Sequence, residues 1–193
     1  MPAKFDPKIH HRRSIRLSGY DYSQSGAYFV TVVTWQRDCL FWDVVNGEMV
    51  LNDFGKIADE CWRAIPEHFP NVELGAHIIM PNHGHGILAI RADVLRSDVG
   101  AQQCCAPTTP DANENPHKIN VKPRSLGAIV RSFKSAVSYR INKEHNATSI
   151  WQRNYYERII RNEQEMDAIW RYIEANPVNW GDDEENPKKL KVD

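Results

Sequence analysis

The stretch VELGAHIIMPNHGHGILAIR, residues 72–91, decides how this chain is read. Val72–Met80 and His85–Arg91 are apolar runs rich in β-branched residues and read as two strands. Pro81-Asn82 between them is a turn signal and puts His83 at the start of the second strand. Side chains two apart on a strand share a face, so His83 and His85 point the same way. Two imidazoles so placed can offer their nitrogens to one metal ion. A histidine pair of this spacing also occurs with a purely structural role, so the pair needs company before it means chemistry.

That company lies near the other end of the chain. Glu163–Asn176 reads as a helix limited by Pro177, with Met166, Ile169 and Ile173 as its apolar stripe. Tyr172 and Asn176, four apart, share a helical face. Position alone would let Tyr172 pack at the core edge and let Asn176 be an ordinary helix-terminal residue. Together with the histidines they make a different set: a metal grip, a hydroxyl nucleophile and an amide oxygen as third ligand. Such a set can break a phosphodiester covalently.

The remaining elements assemble around these two. Ala27–Trp35 (AYFVTVVTW) reads as a buried strand. Phe54, Ile57, Ala58, Cys61 and Ile65 repeat at helical spacing, with Asn52 or Asp53 as cap and Pro66 as terminator. Ser125 caps a helix running to about Lys143, whose apolar face is Leu126, Ile129, Val130, Phe133, Val137 and Ile141. Tyr155–Ile160 is a further short strand. The order β-α-β-β-α-β-α suits an α+β domain, an antiparallel sheet with helices packed on one face.

Charge is distributed in blocks. Lys118–Arg161 carries ten Lys or Arg against two acids, whereas Gly19–His117 carries five against thirteen, within a net charge of −1. A basic block inside a near-neutral chain suggests a surface for phosphates. Residues 1–26 read as a basic arm, 92–122 as a flexible insertion, 27–180 as one domain and 181–193 as a frayed tail. No apolar run reaches the ~18–20 residues of a membrane span, and the N-terminus lacks an apolar signal region, which points to the cytoplasm and to no membrane partner. Cys39, Cys61, Cys104 and Cys105 match no zinc spacing and read as reduced thiols.

Four segments carry a family resemblance. His77–Leu88 resembles the HUH segment of single-tyrosine transposases of the insertion-sequence 200 type. Ser125–Ser135 resembles the DNA-contacting helix of that family. Ile150–Asn162 and Tyr172–Trp180 resemble the branch of REP-associated tyrosine transposases. The likeness runs from about Tyr28 to Trp180. One departure is Gly84, where the family usually has a bulky apolar residue.

The resemblance implies a ferredoxin-like or RRM-like fold. It implies Tyr172 as nucleophile, with His83, His85 and Asn176 holding Mg²⁺ or Mn²⁺. It implies a single-stranded DNA endonuclease and strand transferase that forms a 5′-phosphotyrosine at hairpin or palindromic repeats, acting as monomer or homodimer. Candidate DNA contacts are Arg12, Arg13 and Arg16 in the arm, with Arg131, Lys134, Arg153 and Arg158. Tyr155, Tyr156 and Tyr139 are rival tyrosines, and His77 is a lesser candidate at the site. Two other readings stay open: an RRM-like nucleic-acid-binding module without catalysis, and a hydrolase of small phosphoesters.

Overall fold

The computed structural model describes Leu17 and residues 19–92, 122–183 and 185–187. The expected contacts from Arg12, Arg13 and Arg16 and nearly all of the expected insertion lie outside the described residues. Four strands, β1 (Gly26–Val33), β4 (Val72–Ile79), β5 (His83–Ile90) and β6 (Tyr156–Ile160), form one sheet in the order β4-β5-β1-β6. Every neighbouring pair is antiparallel. This order, with α1 (Asp53–Arg63) between β1 and β4 and α3 (Leu126–His145) between β5 and β6, is the ferredoxin-like β-α-β-β-α-β arrangement. A short α2 (Ile65–His68) follows α1, and α4 (Glu163–Ala175) follows β6.

The central strands are apolar on both faces, and each face has its own cover. Tyr28, Val30, Val32, Leu88 and Ile90 meet Ile57, Trp62, Ile129 and Phe133 of α1 and α3 in the main core. The alternate residues Phe29, Ile87 and Ile160 meet Ile169 and Ile173 of α4 in a second, smaller core. The two long helices α1 and α3 therefore share one face, as expected, while α4 covers the other. A sheet apolar on both sides needs burial on both sides.

Local chemistry sets the helix ends. The side chain of Asn52 accepts from Gly55 N at the start of α1, Ser125 from Ala128 N at α3, and Asn162 from Glu165 N at α4. The six apolar residues expected on one face of α3 are all buried. A separate hairpin, β2 (Trp42–Val45) and β3 (Glu48–Leu51), was not expected. Its turn residues Asn46 and Gly47 both have positive φ, the requirement of a tight two-residue hairpin turn. No helix among the described residues is long and apolar enough to cross a membrane.

On β5 the alternation separates two jobs. Gly84 and Gly86 face α1 and α3, and His83 and His85 face α4. A Cβ on Gly86 would lie 2.1 Å from the Trp62 ring, whereas one on Gly84 would meet its nearest atom at 3.3 Å. Trp62 in turn packs edge-to-face on Phe133 at 5.2 Å, joining α1 to α3 beneath the sheet. Gly86→Ala is therefore expected to lower stability in urea denaturation by about 1–3 kcal/mol through overpacking, and Gly84→Ala by clearly less. Equal losses would contradict this account of β5.

Candidate metal and nucleophile site

His83 and His85 are interior residues. His83 is fully buried and His85 is 5% exposed, and their rings lie 4.4 Å apart. Asn82, in the turn that precedes β5, orients the first of them. Its Nδ2 donates to the carbonyls of Arg37 at 3.0 Å and Glu185 at 2.7 Å. That leaves Asn82 Oδ1 to accept from His83 Nδ1 at 2.9 Å. The bond fixes the proton on Nδ1 and presents the Nε2 lone pair inward, where it is buried without a hydrogen-bond partner. His85 is held by Thr31 on the neighbouring strand, Nδ1 to Oγ1 at 2.8 Å. Its Nε2 lies 3.3 Å from the Tyr172 hydroxyl.

Helix α4 and the segment after it close the site. The Tyr172 ring stands edge-on to His85 at 5.2 Å and to Phe29 at 6.0 Å, yet the residue is 48% exposed. Asn176 caps the C-terminal end of α4 and is buried. Its Nδ2 donates to Asp183 Oδ2 at 3.2 Å, and its Oδ1 is buried with no hydrogen-bond partner. Asp183 Oδ1 accepts from Glu185 N at 2.7 Å. Residues 183 and 185–187 thus fold back onto the site instead of fraying. The bond from Asn176 to Asp183, the bond from Asn82 to the Glu185 carbonyl and the ion pair of Arg37 with Glu185 at 3.2 Å hold them there.

The residues fit a divalent cation. One atom each from His83, His85 and Asp183 lie within 4.8 Å of one another. The orphaned Nε2 of His83 and the orphaned Oδ1 of Asn176 are buried polar atoms that a cation would satisfy. Nitrogen and oxygen donors in this mixture suit first-row ions such as Mn²⁺ as well as Mg²⁺. Asp183 was missed in the sequence, because the acids after Trp180 read as a tail.

The remaining candidates fall into separate places. Arg131 is exposed on α3, on the opposite side of the sheet from the histidines. Lys134 on the same helix donates to the carbonyls of Gln152 at 2.5 Å and Asn154 at 2.7 Å. It pins the loop that leads into β6, and burial lowers its pKa to about 8. Arg153 is exposed in that loop. Arg158 is exposed on the α4 side of β6 and pairs with Glu165 at 3.4 Å. Tyr155 packs against the main core, Tyr139 is exposed on α3 and Tyr156 is exposed on β6. His77 bonds Asp59 at 2.9 Å and stacks on Trp62, on the α1 side and away from the site.

Burial sets the electrostatics of the pair. It lowers the His83 pKa to about 4, with Arg37 adding to the effect and the Asp183 charge and the Asn176 amide opposing it. Burial, then the neighbouring His83, holds His85 well below its ordinary range. Both imidazoles are therefore neutral at neutral pH, the form that binds metal. Unfolded histidine titrates near 6.5, so the unfolded chain takes up protons first. The stability due to His83 is complete above about pH 6.5 and is lost as pH falls toward 4, and burial of His85 acts in the same direction. In metal-free buffer, denaturation midpoints are expected to show a loss on the order of 3 kcal/mol across that window. A His83→Gln, His85→Gln double variant should give a flatter profile, and an unchanged profile would contradict the assignment.

No family model matches the chain. A protein of Haemophilus influenzae described as uncharacterized is 40% identical over 184 residues, covering 95% of this chain and 98% of that one. Among solved structures, a REP-associated tyrosine transposase bound to a REP hairpin is similar with a TM-score of 0.54 and 18% identity, over 88% of this chain and 75% of that one. The chain belongs to one family with the Haemophilus influenzae protein, and its fold is that of the REP-associated tyrosine transposase.

Proposed function

We propose that the chain is a metal-dependent single-stranded DNA endonuclease and strand transferase that works through Tyr172 on DNA bearing hairpins or palindromic repeats. The observation that carries this reading is the contact of the Tyr172 hydroxyl with His85 Nε2 at 3.3 Å, at the edge of the cluster of buried His83 and His85 with partly buried Asp183. A half-exposed tyrosine against buried metal-binding groups is what a covalent phosphoryl transfer needs. The substrate reaches the hydroxyl, and the ligands stay ordered.

His83 Nε2, His85 Nε2 and an oxygen of Asp183 or Asn176 would hold Mg²⁺ or Mn²⁺. Bound there, such an ion would draw charge from the oxygens of the scissile phosphate and orient it for in-line attack. The chain's own residues do the rest. The Tyr172 oxygen loses its proton and bonds to phosphorus, the bond from phosphorus to the 3′ oxygen breaks, and that oxygen takes up a proton. The products are a 5′-phosphotyrosine and a free 3′-hydroxyl. A 3′-hydroxyl attacking the phosphotyrosine reverses the step or joins a new strand, with no nucleotide cofactor. Phe29 steadies the nucleophile's ring, and Thr31 and Asn82 fix the two imidazoles. The basic arm and the exposed arginines would hold the DNA, and the chain would act as monomer or homodimer.

The competing reading is an RRM-like binding module without catalysis. A labelled hairpin-bearing strand, incubated with Mn²⁺ and run under denaturing conditions, separates them. The proposal expects a protein–DNA adduct that is abolished by EDTA and by Tyr172→Phe, with hairpin binding kept within a few-fold. Binding without any adduct would favour the module. Calorimetric titration with Mn²⁺ tests the ligands without reference to activity. Asp183→Asn and His83→Gln should each weaken Mn²⁺ binding by about 10- to 100-fold. Unaltered affinity in both would remove them from the metal site.

A further inference from the structure

We infer that the exposed face of β6 seats the unpaired nucleotides flanking the scissile phosphate, with Tyr156 stacking on a base and Arg158 meeting a phosphate. The inference rests on the function proposed above and adds the path that the DNA strand follows.

Strand β6 is the edge of the sheet, paired to β1 alone among the described residues. Its alternation sorts two neighbouring tyrosines. Tyr155 and Ile159 belong to the main core, and Ile160 belongs to the core under α4. Tyr156 and Arg158, in step with Ile160, therefore face the same side as His83, His85 and Tyr172. The register then places them. Tyr156 is the cross-strand partner of Thr31, whose hydroxyl holds His85. Arg158 is the partner of Phe29, whose ring stacks on His85 at 5.2 Å. His85, Thr31 and Tyr156 thus form one row across three strands. Two strand spacings put the Tyr156 backbone about 10 Å from that of His85.

The row is exposed at Tyr156, which is 45% exposed, and beside it at Tyr172, which is 48% exposed and touches His85, while Thr31 and His85 form the buried floor between them. An aromatic ring lying on a sheet is a stacking platform for an unpaired base. A duplex keeps its base faces covered, so the occupant is single-stranded. The charge matches. Arg158 is exposed on this face, where Glu165 of α4 pairs with it at 3.4 Å, while Glu157, the one acid of β6, has its carboxylate oxygens buried and its side chain on the other face. Lys134 fixes the entry to β6 through the carbonyls of Gln152 and Asn154, so the platform is ordered before DNA arrives.

The test uses the full chain carrying Tyr172→Phe, so that no cleavage intervenes. The probe is a hairpin oligonucleotide with a single-stranded flank, 2-aminopurine being placed at each flank position in turn. Binding should quench one position. Tyr156→Leu should abolish that quench and weaken flank binding by about 5- to 150-fold, and Tyr156→Phe should preserve both. Binding of the hairpin without its flank should change little. Arg158→Gln should flatten the salt dependence by about one phosphate contact. Thermal melts establish that the variants are folded. If the Leu and Phe variants bind the flank alike and quench alike, the stacking seat is wrong. If that happens while an otherwise unaltered chain still forms its adduct through Tyr172, the inference falls and the nuclease stands. If the adduct is lost while binding still depends on Tyr156, the nuclease falls and the stacking seat stands.

Discussion

Strand β5 carries the constraint on which the rest depends. It is a central strand whose two faces do incompatible work. On one face, at position 86, it must have no side chain, because the Trp62 ring occupies the space where a Gly86 Cβ would sit. On the other it must carry imidazoles. Glycine and histidine in alternation satisfy both demands with one short segment. The Trp62 contact fixes α1 and α3 against the sheet, which fixes the plane from which His83 and His85 project. Gly84 belongs to this arrangement too. Its missing side chain faces the helices and not the two histidines, so the imidazoles owe their aim to Asn82 and Thr31.

The second dependence is on closure from the C-terminal side. Asn82 bridges the histidine turn to the Glu185 carbonyl, and Asn176 bridges α4 to Asp183. Two amides therefore tie the turn before β5 to the segment that follows α4, more than one hundred residues away, and that segment to α4 itself, around a pair of buried neutral imidazoles. Burying such groups is costly unless they are satisfied. His83 Nε2 and Asn176 Oδ1 are left without partners, and a bound cation would repair both defects at once. The exposed side of the same cluster belongs to Tyr172, so the two imidazoles are buried while the tyrosine beside them is half exposed.

Much of this was legible in the sequence, for reasons that differ by element. The buried face of α3 and the strand β1 announce themselves by periodicity and by β-branched and aromatic residues. The turn at Pro81-Asn82 correctly starts β5 at His83. Tyr172 and Asn176 stand out by helical spacing. Other features have no periodic signature. The side of the sheet that α4 covers depends on both faces of β1 and β5 being apolar, which spacing along α4 does not encode. Asp183 reads as one acid among several, and only its hydrogen bond to Asn176 distinguishes it. Lys134 looks like any basic residue on a solvated face until its ammonium is found on two loop carbonyls. The β2–β3 hairpin did carry a readable sign, Asn46-Gly47, but its flanking strands are short and only half apolar.

The central claim is that Tyr172 itself becomes covalently joined to DNA. The most direct measurement is peptide mapping by mass spectrometry, after reaction with a hairpin-bearing single strand and Mn²⁺ and nuclease trimming of the DNA. The predicted result is a nucleotide attached through a 5′ phosphate on the peptide that begins at Tyr172 after cleavage at Arg171. A modified peptide carrying Tyr139, Tyr155 or Tyr156 instead, or no modified peptide under conditions where the strand is cut, would contradict it.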